Sequence, residues 1–345
     1  MLNGQESNWR KLEAGVPQGS VLGPLFFLVY INDLTDNIQS DMRLFADDSS
    51  LFTCVKGVSQ THERLVKDLQ TVSEWGHQWK MVFNPDLTKQ AIEIVFTCKE
   101  RKPKHDELLF NRIPVAREPH TKHLGVYLDS RLNFSKHIKE AVLKAMKGVT
   151  LLKFLAKYVD RDVLNLSYKM YVRPHLDYGD VLYHNSSRNL TNLVEQVQYK
   201  AELVVSGCWQ GTSRDKLYDE LGWESLSDRR WLRRLTLFYK ISNGLAPSYL
   251  SNHIPKKRRG TSMSLRHIVD NTPFSRTQRY ENSFFPYTIK AWNQLDDEAK
   301  SKPSIESFKY HLNKFIRPPG HSFFGIRDKY GIKLLTKIRV CFSVL

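Results

Sequence analysis

The chain has 345 residues, 41% of them hydrophobic, which is enough to bury a core, excludes wholesale disorder and leaves room for two or three domains. Its 52 Lys/Arg against 36 Asp/Glu give a formal net charge of +16, so a polyanionic partner is expected, nucleic acid ahead of an anionic membrane surface. Four scattered cysteines (Cys54, Cys98, Cys208, Cys341) lack CxxC spacing, which argues against a disulfide framework or a sequence-local zinc site and fits a reducing, intracellular compartment, nuclear or cytoplasmic.

The chain opens on polar sequence, MLNGQESNWRKLE, without the character of a secretory signal. Residues 9–12 are a candidate short strand. A polar turn, Pro17-Gln18-Gly19-Ser20, then feeds an apolar run over 21–31. That run is far short of the roughly 20 residues that span a bilayer, so a soluble chain with no membrane partner is expected. Ser20 suits an N-cap, and Pro24 lies early enough for its missing N–H to cost little. The helix is apolar nearly all round, as in one buried under a sheet. Gln18, Gly19 and Ser20 sit at its N-terminal end, where free N–H groups and the dipole favour phosphate; a plain capping turn would look the same.

Residues 42–55 alternate as a hairpin does, with Asp47-Asp48 near the turn and Leu44, Phe45, Ala46, Leu51 and Phe52 around it. Two aspartates at a hairpin tip are ordinary in themselves, because Asp is a turn former. A Gln-Gly-Ser turn opening an apolar helix, followed by a hairpin tipped with two carboxylates, is the arrangement of a polymerase palm. Carboxylates hold hard divalent cations, and two such ions stabilise the attacking and leaving oxygens of an in-line phosphoryl displacement.

Leu65, Leu69, Val72, Trp75 and Trp79 recur at helical spacing over 60–80. A turn at Phe83-Asn84-Pro85 precedes a strand over 91–97, and 99–104 is a short basic loop. Gly125 marks either a tight hairpin or a close approach of nucleic-acid backbone. From 134 the pattern turns helical: Ile138, Val142, Ala145, Val149, Leu152 and Leu155 form one face, with Lys136, Lys139, Lys144 and Lys147 on others. Further helices are expected over 161–178 and 190–205. Arg229, Arg230, Arg233 and Arg234 surround Trp231, which reads as a phosphate-binding face with a stacking ring, or as a helix with Trp inward and solvated arginines. Residues 254–264 form a basic linker containing Lys256, Lys257, Arg258 and Arg259, and two short helices follow. Eighteen of the basic residues lie after position 250, against seven acidic ones.

GVPQGSVLGPLFFLVYINDL followed by LFADD resembles the paired motifs of non-LTR (LINE-type) retrotransposon reverse transcriptases. Further segments resemble the same family in the same order: FNPDLTKQAIEIVF, HLGVYLD, YVRPHLDYGDVLYHN, GTSRDKLYDELGWESLSDRRWLRRLTLFYKISNGLAP and the tail GIRDKYGIKLLTKIRVCFSVL. The resemblance implies RNA-directed DNA polymerisation on an RNA template and DNA primer, with Mg2+ or Mn2+ held by Asp47 and Asp48. It places Gln18, Gly19, Ser20 and Lys89 beside the incoming nucleotide and Leu124, Gly125 and Val126 at the primer end. The expected fold is α+β: a partial palm over 1–130 (antiparallel hairpin plus helices), a helical thumb over 131–250, a basic linker over 251–281 and a basic helical segment over 282–345.

In the family an earlier palm strand bears the first metal-binding Asp, and fingers cover the nucleotide. Asp33, Asp36 and Asp41 follow the apolar helix and do not take that role by motif, nor does Asp177. A fragment inactive alone is therefore expected, completed by a chain that supplies the fingers and first palm motif. The alternatives are a non-catalytic nucleic-acid-binding relic of a transposable element and an open reading frame with no selected function.

Overall fold

A computed structural model describes residues 19–53, 57–84, 91–97, 99, 104–183, 186–255 and 272–316. The expected strand over 9–12, Gln18, Lys89, the Lys256 to Arg259 patch and the tail from 317 lie outside these residues. The chain divides into two compact units at the Leu124/Gly125 peptide.

Unit 1 begins with helix α1, Leu22–Ile31, which continues into a single 3-10 turn, Asn32–Thr35. Strands β1 (Asp41–Phe45) and β2 (Asp48–Phe52) then pair antiparallel, with Phe45 opposite Asp48. Helix α2, Val58–Gln78, follows, and short strands come after it: β3 (Ile92–Glu93), β4 (Leu109–Phe110), β5 (Ile113–Pro114), β6 (Ala116–Arg117) and β7 (His120–His123). β3 runs parallel to β6, and β4 and β5 form a small hairpin. The core gathers Ile31, Leu34, Met42, Val72, Trp75 and Phe110, so the helical periodicity read over 60–80 does bury Val72 and Trp75. Two polar anchors fix α2 to the segment after α1. The buried Asp68 carboxylate accepts from Gln39 and Ser40 N–H at 2.8 and 2.9 Å, and the Trp75 indole donates to Asp33 at 2.8 Å.

α1 forms where expected, but the expectation that it is buried is corrected. Leu22, Leu25, Phe26, Leu28 and Val29 are each more than half exposed, and Ile31 is the one fully buried residue of the helix. The physical reason lies in the sheet: β1 and β2 pair only with each other among the described residues, and no layer of those residues covers that side of α1.

Unit 2 opens on β8, Val126–Asp129, whose last carboxylate accepts from the N–H groups of Arg131, Asn133 and Phe134 and so shapes the entry to a long helix. That helix, α3, is Ser135–Leu155; α4 is Arg161–Tyr171 and α5 is Arg173–Asp177. The single helix expected over 161–178 is broken at Val172, because Pro174 cannot donate back into the preceding turn. α6 (Arg188–Ser206) and α7 (Arg214–Leu221) complete a first core in which Ile138, Ala145, Val149 and Leu152 of α3 meet Val194, Val197, Ala201 and Val205 of α6. Gly148 permits the approach of α4: a Cβ there would stand 2.7 Å from the Tyr171 carbonyl oxygen. α8, Leu226–Ser242, bears a second core with the C-terminal helices. Leu235, Phe238 and Tyr239 of α8 pack on Ile289 and Trp292 of α11 (Phe284–Asn293) and Phe308 and Leu312 of α13 (Ile305–Ile316). Between α8 and α11 lie two one-turn helices, α9 (Ser248–Ser251) and α10 (Gln278–Glu281); α12 (Asp297–Lys300) precedes α13. The described chain is thus mixed helix and sheet, and no helix in it is long and apolar enough to cross a membrane.

Candidate functional site

The acidic pair stands at the tip of the β1–β2 hairpin. Ala46 and Asp47 make a two-residue turn, and Asp48 is the first residue of β2. Ala46 takes a left-handed φ of 50°, a conformation L-residues adopt at a cost, and this turn directs the chain back so that the two aspartates follow one another at the tip. Both side chains are exposed, and among the described residues neither forms an ion pair or hydrogen bond. Phe45, opposite Asp48 in the pairing, is 64% exposed, and Ser49 and Ser50 follow the acidic pair. Two unneutralised carboxylates side by side at one tip suit a hard divalent cation with oxygen ligands. No third His, Cys, Asp or Glu joins them among the described residues.

Gly19 has a φ of 88°, with open space where a Cβ would stand. The Ser20 hydroxyl accepts from Leu22 N–H at 3.3 Å, so it partly satisfies the first turn of α1, one residue earlier than a standard cap. Leu124 and Gly125 form the turn between β7 and β8 with φ of 45° and 82°, and Val126 is buried. The space beside Gly125 is filled by Tyr178, whose ring would lie 3.0 Å from an added Cβ. Packing alone therefore accounts for glycine at this position.

The four arginines of α8 are where sequence and structure part. Arg230 and Arg234 are 4% and 2% exposed, so neither guanidinium faces solvent as a phosphate contact requires. Arg230 pairs with Glu195 of α6 at 3.2 Å. Arg234 donates to the carbonyls of Val181, Ser283 and Phe284 and to Thr288; burial lowers its pKa to about 10. Arg229 and Arg233 both reach Asp177 at 2.8 Å, and Arg233 also pairs with Asp180 at 3.1 Å. Trp231 is half-buried against the second core rather than offered for stacking. The cluster thus ties α8 to α5, α6 and α11. It was read as a surface because 50-odd residues of sequence hide its acceptors, Asp177 and Asp180.

Asp296, Glu298 and His311, which no sequence motif groups, bring their ligand atoms within 4.8 Å of one another. Local structure explains them: Asp296 caps α12 through Ala299 N–H at 2.7 Å, Glu298 bonds Lys302 at 2.7 Å, and His311 bonds Asp296 at 3.2 Å.

Residues 1–128 match the family model described as reverse transcriptase (RNA-dependent DNA polymerase). The chain is 27% identical over 79% of its length to a probable RNA-directed DNA polymerase from transposon X-element of Drosophila melanogaster, covering 30% of that protein. It is 24% identical over 84% of its length to the RNA-directed DNA polymerase from mobile element jockey of the same species, covering 31% of it. A retrovirus-related Pol polyprotein from type-1 retrotransposable element R1 of Bradysia coprophila is 23% identical over 63% of the chain. The chain therefore spans about a third, or less, of the length of these relatives. No solved structure matches it significantly. The chain is thus similar over most of its length to RNA-directed DNA polymerases of transposable elements, and its residues 1–128 match the reverse transcriptase family model.

Proposed function

We propose that this chain contributes to RNA-directed DNA synthesis by a non-LTR retrotransposon, with Asp47 and Asp48 as metal ligands of the nucleotidyl-transfer site. The observation that carries the reading is the hairpin tip, where two adjacent exposed carboxylates have no protein partner among the described residues. Mg2+ or Mn2+ bound there would neutralise charge on the attacking and leaving oxygens of the transferred phosphoryl group. In this reading unit 1 is part of a palm and the first helices of unit 2 are a thumb, acting on an RNA template and a DNA primer in the nucleus or cytoplasm. Gln18, Gly19, Ser20 and Lys89 attend the incoming nucleotide. The N–H groups at the start of α1 favour its phosphates. Leu124, Gly125 and Val126 lie at the primer end in this reading.

Two adjacent carboxylates do not fill the coordination of two ions, since octahedral Mg2+ takes six oxygen ligands. We propose that a further acidic ligand comes from a polypeptide carrying additional palm strands. The exposed apolar side of α1 and the edges of β1–β2, unpaired among the described residues, suit such a layer, since a lone two-stranded hairpin is marginal in water. The metal site is tested by Mn2+ titration followed by electron paramagnetic resonance. Asp47→Asn with Asp48→Asn is expected to abolish a site that Asp41→Asn leaves intact. Unchanged Mn2+ binding in the double variant would refute the assignment.

A further inference from the structure

We infer that the solvent face of α3 and the turn after it form a binding strip for single-stranded nucleic acid, a contact that rests on the nucleic-acid reading above but not on the acidic pair. Lys139, Leu143, Lys147, Leu151 and Phe154 recur at steps of three or four residues, so they share one side of α3, and Tyr158 stands in the turn after it. The other side supplies Ile138, Ala145, Val149 and Leu152 to the core. On the outer side Phe154 is 60% exposed and Tyr158 71%, with ring centroids 5.3 Å apart. Among the described residues these two exposed rings lie against one another and neither joins the core cluster that Leu155 and Val159 pack on.

The charge around the rings selects the partner. α3 carries five lysines and one acid, Glu140, and Lys157 follows in the turn. Among the described residues Lys139, Lys144, Lys147, Lys153 and Lys157 have no ion-pair acceptor, whereas the neighbouring Arg161 is taken up by Glu220 at 3.0 Å. Lys153 and Lys157 flank Phe154 in sequence. Lysines spaced along a helix roughly 30 Å long follow a phosphate backbone, and exposed rings stack on bases only where those bases are unpaired. A duplex hides its base faces and would leave both rings idle. Rings plus unneutralised cations therefore fit a single strand better than a duplex or an acidic peptide.

Fluorescence anisotropy with a short labelled oligo(dT), the matching duplex and anionic vesicles tests this on the full chain without divalent metal, where polymerisation plays no part. Phe154→Ala with Tyr158→Ala is expected to weaken oligo(dT) binding about tenfold or more and to change duplex binding far less. Lys147→Gln, Lys153→Gln and Lys157→Gln together are expected to lower the slope of log K against log salt by about 2, from roughly 0.7 per phosphate contact on a single strand. Phe154→Trp with Tyr158→Phe keeps both ring faces and should retain binding, which separates stacking from any effect on folding. The inference falls if the ring-less variant binds oligo(dT) as the parent does. It also falls if the loss is equal on duplex, or if vesicles compete oligo(dT) away. A negative result here leaves the Mn2+ experiment at Asp47 and Asp48 unaffected.

Discussion

Arg230→Ala should destabilise the helical unit by about 3 to 5 kcal/mol, the cost of stranding a buried charge. Arg230 is 4% exposed, and its partner Glu195 is 9% exposed and keeps one carboxylate oxygen without any hydrogen-bond donor. Removing the guanidinium leaves that carboxylate buried with neither oxygen satisfied. The loss is a property of the broken pair and does not measure what the intact pair adds. Arg230→Met combined with Glu195→Leu should therefore fold with a stability within about 1 kcal/mol of the parent, or above it, since replacing both charges removes their desolvation cost. Urea denaturation of the parent, the single variant and the double variant decides the matter. A single variant as stable as the parent would mean that Glu195 has another partner in solution.

The second large effect depends on pH. Glu202 of α6 is fully buried, and neither of its oxygens has a hydrogen-bond partner. Burial pushes its pKa up from 4.5 to about 7, with the nearby Gln198 amide first and the charge of Arg214 second pulling partly the other way. The folded protein thus holds a proton here that the unfolded chain releases between pH 4.5 and 7. Folding stability consequently falls as pH rises through that window, and above it the carboxylate costs about 3 kcal/mol relative to acid conditions. Glu202→Gln keeps the shape without the charge. It should stabilise the protein at pH 8 by roughly that amount and by little at pH 5, so that the two melting curves converge on acidification. Asp180, also raised by burial, titrates in both proteins, so the difference between them isolates Glu202. A constant gap across pH would contradict the assignment.

The elements were more legible than their surroundings. The hairpin with Asp47-Asp48 at its tip was readable because alternation and turn chemistry are local, and so were α2, α3 and α6, whose apolar spacing is long and regular. What escaped was set by partners distant in sequence. The arginines of α8 read as a surface because basic residues usually are one, and nothing near them in sequence announces Asp177, Asp180 or Glu195. Asp68 looked like one more polar residue of α2, although it holds the backbone of Gln39 and Ser40. α1 read as buried from its composition alone, whereas composition fixes only that some layer belongs on it. The break at Val172 was visible in principle, since Pro174 follows two residues later.

RNA-templated primer extension tests the central claim most directly. The chain would be supplied with a separately expressed polypeptide bearing further palm strands from a related transposon polymerase, together with Mg2+, deoxynucleotides and a DNA primer on an RNA template. Metal-dependent extension of the primer is predicted, falling to background with Asp47→Ala or Asp48→Ala while primer–template binding persists. Extension that survives loss of both aspartates would contradict the account.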